Sequence, residues 1–441
     1  MFGYYLDLAL RSLKRNKVLT ALMVLAIALG IGASMTTLTV VHLLSGDPLP
    51  GRSQHIFYPQ VDPAPNPDKD HQPFDKMDYR SAVDLWSAQR ADRQAIVANS
   101  SLRMTVPDAN QPALMAQVLS TTSDFFPMFN VPLRYGHAWT AQDDASRARV
   151  AVISSDLNNK LFAGINSVGR TLRLKDTDVR IVGVLVPWRP SPQFYDVAGG
   201  RYASGATASF YTRPEDLFMP FQSALEINPA GFNAFTCWRM PDAGAVGLKD
   251  SPCVWVALWV QLDAPAKVSA YRSYLASYAA EQKALGRFVH ADNTAMPSLM
   301  QWLDINQVVP SDVRLQTWLA FSFLAICLFN TIGLLLAKFL RRAGEIGVRR
   351  ALGASRAAVF GQCLVEAGLI GLLGGVGGLL LTWLGLWLVR RQSVAYADMV
   401  HLDTSMFLVT FAMAVAASLL AGVLPALRAS RVAPALQLKT L

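Results

Sequence analysis

The chain has 441 residues, of which 52% are hydrophobic and only 16% are charged. A soluble domain usually carries about 25% charged residues, so this composition excludes an ordinary soluble protein. The net charge of +9 could suggest nucleic-acid binding, but three short segments hold 13 Lys and Arg against two acids, whereas residues 47–314 are close to neutral. The basic residues therefore flank membrane segments, and no nucleic-acid partner is expected.

Four charge-poor runs are long enough to cross a bilayer, which takes about 20 apolar residues. Three of the runs hold no charged residue, and the remaining one holds only Glu366. The predicted spans are 18–46, 315–337, 357–389 and 404–427. The first run is too long for the apolar region of a cleaved signal peptide, so we expect an uncleaved anchor.

The three basic segments predict the orientation of the chain. They are residues 1–17, 338–356 and 428–441. Short segments rich in Lys and Arg stay in the cytoplasm, so both termini are expected there. Residues 47–314 then form a large external domain and residues 390–403 a short external loop. In a bacterium this arrangement corresponds to the inner membrane and a periplasmic domain.

Residues 1–17 predict an amphipathic helix before the first span. Leu6, Leu10 and Leu13 recur at i, i+4 and i+7, and the basic residues lie on other faces. Such a helix can lie in the inner membrane interface, contacting lipid. The alternative is a basic flank that only fixes the topology.

Strands alternate with helices through residues 47–314, which predicts an α+β domain of two parts. The predicted strands are 94–106, 113–120, 150–153, 171–174, 179–186 and 254–262. The predicted helices are 74–89, 123–129, 155–162 and 266–285. Residues 199–247 show no regular period and predict a loop-rich insertion.

The four cysteines fall into two classes. Cys327 and Cys363 lie within predicted spans and are expected to be packing residues. Cys237 and Cys253 lie in the external domain, where an oxidising environment permits a disulfide between them. The chain has no Cys/His spacing typical of a zinc site, so no metal site is predicted.

Small residues at four-residue spacing predict close helix packing within the membrane. In the first span they are Ala26, Gly30 and Ser34; in the third span they are Gly371, Gly374, Gly375 and Gly378. The sequence leaves open whether the first set faces another span of this chain or a second subunit.

Glu366 is an ionisable residue near the inner end of the third span, and such residues are functional candidates. The alternative is structural, in which Glu366 pairs with a basic residue of the inner segment 338–356 or extends toward the interface.

No chemistry-bearing motif accompanies these features. The chain contains no G-x-x-x-x-G-K-[ST] phosphate-binding loop, no G-x-S-x-G and no H-E-x-x-H. The spans also offer no charged pathway of the kind that a proton-driven pump needs. Segment 338–356 is basic and helical in pattern, and it is therefore predicted to be bound by a soluble partner.

Residues 345–354, Glu-Ile-Gly-Val-Arg-Arg-Ala-Leu-Gly-Ala, are followed by Gln362 and by Glu366-Ala367. This stretch resembles the EIGIRRALGA…EA signature of the MacB/FtsX family of ABC-transporter permeases. Residues 172–184 and 425–431 are also similar to that family. The resemblance implies four transmembrane helices and, between the first two, an external domain with a porter-like part and an inserted β-rich part. The porter-like part would take 47–120 and 252–314.

The resemblance also implies that the inner segment contacts an ABC ATPase. The residues it assigns to this contact are Glu345, Ile346, Gly347, Arg349, Arg350, Leu352, Gly353, Ala354 and Ser355. No cofactor is expected on this chain, since ATP and magnesium would be bound by the ATPase. Because the chain starts 17 residues before the first span, that ATPase is expected to be a separate polypeptide. A second permease, either a copy or a paralogue, and a periplasmic adaptor are further expected partners.

The resulting hypothesis is a non-enzymatic permease that transmits ATPase motion to its periplasmic domain for efflux or extraction of a substrate. One alternative is an FtsX-like scaffold that regulates an envelope hydrolase, and another is a LolC/LolE-like permease for lipoprotein extraction. A receptor or enzyme without energy input is disfavoured by the coupling signature. The large exterior favours the MacB-like interpretation.

Overall fold

In the computed structural model the described residues are 2–65, 72–107, 112–239, 247–400 and 404–431. They form two compact units, one of residues 1–45 and 309–441 and the other of residues 46–308. Part of the expected tail, from residue 432 on, and residues 401–403 of the expected short external loop lie outside the described residues.

The helices are numbered along the chain. They are α1 (Phe2–Arg15), α2 (Lys17–Ser45), α3 (Tyr79–Ser87), α4 (Phe125–Met128), α5 (Ala141–Ala145), α6 (Ser155–Phe162), α7 (Phe221–Ile227), α8 (Pro265–Ala284), α9 (Leu299–Ile305), α10 (Ser311–Arg341), α11 (Ala343–Ala351), α12 (Arg356–Arg390) and α13 (Thr404–Ser430).

The strands are numbered in the same way. They are β1 (Ile56–Phe57), β2 (Gln60–Val61), β3 (Arg93–Thr105), β4 (Leu114–Thr121), β5 (Leu133–Gly136), β6 (Val150–Ile153), β7 (Thr171–Leu174), β8 (Thr177–Leu185), β9 (Leu217–Pro220), β10 (Thr236–Cys237), β11 (Cys253–Val254), β12 (Ala257–Gln261) and β13 (Thr294–Ala295).

The first unit is helical. Among the described residues, α2, α10, α12 and α13 are long and apolar enough to cross a membrane, and the predicted four-helix membrane architecture is confirmed. Pro310 precedes α10, and Asp312 lies in its first turn. A negative charge at this end interacts favourably with the helix dipole. Ser355 caps α12, its Oγ accepting a hydrogen bond from the Ala358 N–H at 3.1 Å.

Over its described residues, the second unit is built on one mixed sheet of nine strands. Their order is β1-β12-β3-β4-β9-β6-β8-β5, and β7 pairs with both β3 and β8. The pairs β4–β9 and β6–β8 are parallel, and the other neighbours are antiparallel. The parallel β4–β9 pair joins the porter-like segments to the inserted segment, so the two expected parts share a continuous sheet.

Two hydrophobic clusters cover this sheet. The first packs β12 and the start of β3 against α3, α7 and α8, with Trp255 and Leu258 fully buried. The second packs the ends of β3 and β4 with β6, β7 and β8, and it includes Leu172 and Ile181. The apolar positions of each strand alternate with polar ones wherever only one face is covered, as along β7.

One expectation about local structure was wrong, and a region predicted to be rich in loops also contains short regular elements. The predicted helix 74–89 begins only at Tyr79, because the Asp78 carboxylate accepts from the Ser81 N–H and caps it. Before that cap the chain is extended, and Met77 pairs with Val256. The predicted loop-rich insertion 199–247 contains β9 and α7. Strand β9 is short, and its regular structure depends on pairing between β4 and β6 rather than on local sequence.

Cys237 and Cys253 are joined by a disulfide and are directly opposite each other in the β10–β11 pair. The bridge closes a loop with a sequence separation of 16. A loop of this size would stabilise the folded state by roughly 3 kcal/mol in the chain-entropy model. Cys327 and Cys363 are free and buried among the helices.

Glu215 is a carboxylic acid inside the second unit, with 4% of its surface exposed. The Tyr195 hydroxyl donates to its Oε2 at 2.7 Å, and the Gln193 amide donates to its Oε1 at 2.8 Å. Burial raises the pKa of Glu215 to about 7 despite the hydrogen bond from Tyr195, and the nearby charge of Asp196 adds to the rise. The folded unit therefore retains a proton on Glu215 at mildly acidic pH.

Glu215→Gln should make the protein less sensitive to rising pH. Between the ordinary pKa of 4.5 and the raised value of about 7, the unfolded chain loses a proton that the folded state keeps. The native protein should lose roughly 3 kcal/mol of stability over this window, and the Gln variant should not. Tryptophan-monitored unfolding at pH 5 and pH 8 measures the difference. Identical pH dependence in the two proteins would contradict the assignment.

Alkylation of the unreduced protein followed by peptide mass mapping should recover Cys237 and Cys253 in one linked peptide. Cys327 and Cys363 should react only after unfolding, because both are buried. Free thiols at both Cys237 and Cys253 in protein isolated from the cell envelope would be inconsistent with the bridge.

Candidate functional site

The segment predicted to contact a partner is the short helix α11 with the turn that follows it. Arg342 separates α11 from α10, and residues 352–355 lead into α12. Gly353 has φ +104°, a conformation that side chains with a Cβ rarely adopt, so glycine is needed at this turn. The turn and the Ser355 cap fix the end of α11 relative to the start of α12.

One face of α11 packs into the helical unit. Ala343 and Gly347 are buried, and Ile346 contacts the hydrophobic core of the helices. These residues are spaced at three and four positions, so they line one side of the helix. A helix of nine residues is marginal in isolation, and this packing holds α11 in place.

Glu345 is the centre of an ionic network on α11. Its carboxylate lies 3.1 Å from Arg342 Nη2, 2.8 Å from Arg349 Nη2 and 3.7 Å from Arg15 Nη1 of α1. Arg349 also donates to Gln362 Oε1 of α12 at 3.0 Å. Partial burial alone would raise the pKa of Glu345, but the hydrogen bonds and charges of these arginines hold it below its ordinary value. Glu345 and Arg349 therefore hold α11 against α1 and α12.

Glu366 of α12 continues this network into the helical unit. Its Oε1 lies 2.5 Å from Lys338 Nζ, its Oε2 lies 3.3 Å from Arg342 Nη1, and it accepts a hydrogen bond from the Ser12 hydroxyl. Arg342 Nη1 also donates to Ser12 Oγ at 2.8 Å. The paired arrangement, one of the two alternatives for Glu366, is the one observed in the structure.

The Lys338–Glu366 pair is shielded from solvent, since each residue is 1% exposed. Removing one partner of a buried ion pair leaves an uncompensated charge, which typically costs about 3–5 kcal/mol. Neither residue can therefore move away from the other without replacement contacts. The last turn of α10 and the first third of α12 are linked at this point.

The opposite side of the segment faces outward. Leu352 has 83% of its surface exposed and Val348 has 42%, and Ala351, Gly353 and Ser355 around them are also exposed. An apolar side chain as exposed as Leu352, surrounded by small residues, is a feature of contact surfaces. We call these five residues the outward face.

The residues of the predicted contact thus divide into two groups. Glu345, Ile346, Gly347 and Arg349 face the helical unit, whereas Leu352, Gly353 and Ser355 belong to the outward face. Arg350 and Ala354 are half-buried.

Five residues of the network were not predicted from the sequence as members of a site: Ser12, Arg15, Lys338, Arg342 and Gln362. A signal for three of them was available in the spacing. Lys338 and Arg342 are four residues apart, as are Gln362 and Glu366, so each pair lies on one helix face. Ser12 gave no comparable signal, because a lone serine beside apolar neighbours is common.

The glycines of α12 form two packing seams. On one side a Cβ at Gly374 would lie 2.6 Å from Ile27 Cγ2, and at Gly378 it would lie 3.0 Å from Ile31 Cγ2, both on α2. On the other side a Cβ at Gly375 would lie 2.8 Å from Ala414 Cβ of α13. Gly371 packs on Ser418 of α13. The two seams place α12 between α2 and α13 at close range.

The small residues of α2 face α10 of the same chain. A Cβ at Gly30 would lie 2.9 Å from Leu324 Cδ1, and Ser34 Oγ donates to the Ala320 carbonyl at 3.0 Å. Ala26 is half-buried. Of the two partners left open by the sequence, the structure therefore shows a helix of the same chain.

Two family models match the chain. Residues 20–278 match the MacB-like periplasmic core domain, and residues 318–434 match the FtsX-like permease C-terminal region. Together they take in most of the external unit and most of each of the four predicted spans.

Named relatives are similar at low identity. The chain is 26% identical over 322 residues to the pyoverdine export ATP-binding/permease protein PvdT of Pseudomonas putida, covering 70% of this chain and 41% of that protein. It is 22% identical over 345 residues to the macrolide export ATP-binding/permease protein MacB of Syntrophobacter fumaroxidans, covering 74% and 47%. The chain thus spans less than half the length of these relatives.

Among solved structures, the periplasmic region of MacB from Actinobacillus actinomycetemcomitans matches with a TM-score of 0.36 and 12% identity. The match covers 59% of this chain and 94% of that structure.

Gly371→Ala should destabilise the helical unit, whereas Gly361→Ala on the same helix should not. An added Cβ at Gly371 would meet the Ser418 side chain, while Gly361 has open space around it. Alanine favours a helix over glycine by about 1 kcal/mol, so the control should be neutral or slightly stabilising. Thermal unfolding of both variants in detergent measures this. Equal melting temperatures for the two variants would argue against the α12–α13 seam.

Proposed function

Because the chain belongs to the family that combines a MacB-like periplasmic core domain with an FtsX-like permease region, we propose that it is the permease of an ATP-driven ABC transporter. An ABC ATPase binds ATP and Mg²⁺ and hydrolyses the ATP, and this chain supplies no catalytic group. Its task is to convert movement of the ATPase into movement of the external unit.

The observation that carries the proposal is the two-sided character of α11. Its inner face is fastened by packing and by the Glu345 network, while its outward face presents Leu352 and Val348. A surface that receives a push must be accessible on one side and rigidly held on the other. The outward face is therefore the proposed contact for the ATPase, and the end of the helices that carries α11 is proposed to lie in the cytoplasm.

Transmission follows the chain itself. Movement of α11 is passed to α10 and α12, which flank it in sequence and are joined by the Lys338–Glu366 pair. From the helical unit the chain enters the external unit after Ser45 and leaves it before Val309, so α2 and α10 are its two covalent connections. These two helices are proposed to pass the movement on to the periplasmic domain.

The substrate class is proposed from kinship alone. Relatives are named for pyoverdine export and macrolide export. We propose efflux or extraction of an envelope-associated substrate by a pair of permeases, each contacting an ATPase.

Leu352→Asp should prevent productive contact with the ATPase while leaving the permease folded. The side chain is 83% exposed, so a charge there does not disturb the chain's own packing. The complex is purified in mild detergent from native membranes, the ATPase is identified by mass spectrometry, and ATP hydrolysis per permease is measured. ATP hydrolysis per permease should fall about tenfold, because binding weakened by about 1.4 kcal/mol lowers the amount of complex by that factor.

Two matched variants sharpen this test. Leu352→Met keeps an apolar side chain and should retain activity, and Arg341→Ala removes an exposed charge outside the outward face. Glu345→Ala should also reduce hydrolysis, but with a lower melting temperature, because it loosens α11. Recovery of no ATPase with the native protein, or equal recovery with Leu352→Asp, would refute the proposal.

A further inference from the structure

Helix α1 is fastened to the helical unit by a polar contact as well as by packing. Ala9, Ser12 and Leu13 form its buried face, with Ser12 only 4% exposed. The Ser12 hydroxyl donates to Glu366 Oε1 and accepts from Arg342 Nη1 at 2.8 Å. An interfacial helix held only by lipid would not need a polar side chain satisfied on both sides in a buried position.

Ser12 is one of four residues that meet at this point. Lys338 of α10, Glu366 of α12 and Arg342 before α11 are the others, and we call the four the clamp cluster. Each comes from a different element, so the cluster connects α1, α10 and α12 with the start of α11.

Arg342 joins the clamp cluster to α11. Its Nη1 contacts Ser12 and Glu366, while Nη2 and Nε contact the Glu345 carboxylate of α11 at 3.1 and 3.3 Å. The planar guanidinium fixes these partners in one orientation, which an ammonium group would not do. A displacement of α11 therefore acts directly on the residue that holds Ser12.

We propose that the clamp cluster makes α1 a moving part of the transmission, so that α1 and α11 shift together as one rigid body when the ATPase acts. Ser12 is a positioning residue in this device, and Arg342 is the joint. The inference rests on the proposed function, because the movement is supplied by the ATPase. It assigns α1 a mechanical role in addition to its place at the membrane interface.

The test measures the distance between α1 and α11 directly. Spin labels are placed at Arg11→Cys, an exposed position on α1, and at Gly344→Cys, which lies on α11 outside the outward face, with Cys327 and Cys363 replaced by alanine. Pulsed electron–electron double resonance is recorded on the full chain in nanodiscs, first alone and then in complex with the ATPase, nucleotide-free and with ATP. A second label pair, Gly344→Cys with a site in the external unit such as Met115→Cys, reports whether the ATPase moves the permease at all.

The expected result is a narrow α1–α11 distance distribution that is the same in all three states, while the distance of the second pair changes with ATP. Ser12→Ala and Glu366→Gln should broaden the α1–α11 distribution by about twofold, as for a helix released to sample several orientations. Ser12→Thr retains the hydroxyl and should keep the distribution narrow.

Three outcomes would overturn the inference. If the two helices form one body, the α1–α11 distance of the native chain stays the same with ATP, so a change in that distance refutes the inference. An unbroadened distribution in Ser12→Ala refutes the role of the hydroxyl. Absence of any ATP-dependent change in the second pair removes the driving movement and refutes the proposed function, whatever the clamp variants show.

Discussion

The carboxylate of Glu366 imposes a constraint that shapes the surrounding helices. It is buried within a helix that is otherwise apolar, and a charge in such a place requires cationic partners. Lys338 and Arg342 supply them from the end of α10 and from the residue that follows it. The ion pairs link the end of α10 to α12, and α11 lies between these two helices in the sequence.

The same point explains how a short helix is held firmly in place, as its proposed role in transmission requires. Helix α11 has few buried side chains of its own, and Ile346 is its main apolar contact. Its stability comes from Arg342 and Arg349, which bind Glu345 and connect it to neighbouring elements. Holding the inner face with charged contacts leaves the other face free for exposed apolar residues such as Leu352.

Close packing complements the ionic links. The glycines of α12 allow α2 on one side and α13 on the other to approach within contact distance of its backbone. Because α2 and α10 are the helices that connect with the external unit, the packing of α2 against α12 and of α10 against α2 and α13 bears on the proposed transmission of movement. The external unit, in turn, has one continuous sheet, so its two segments are joined by β4–β9 pairing rather than by a flexible linker.

Much of this organisation was predictable from local sequence. The four charge-poor runs determine four membrane helices because only their length and hydropathy matter, and the basic segments predict an orientation for the same reason. The long periodic helices and the strand 150–153 were located closely because their signals are local. The start of α3 was missed because one capping residue, Asp78, outweighed the apolar pattern before it.

What the sequence determined by itself is therefore the class of protein and its membrane segments, and it predicted which segment would contact a partner. Only the tertiary structure decided which residues of that segment face inward, that Glu366 is paired, and that Ser12 of α1 joins the pair. These contacts connect residues more than 300 positions apart in one case and 28 in another, and local spacing carries no information about such pairs. Strand β9 was missed for the same reason, since its conformation depends on neighbours supplied by distant segments.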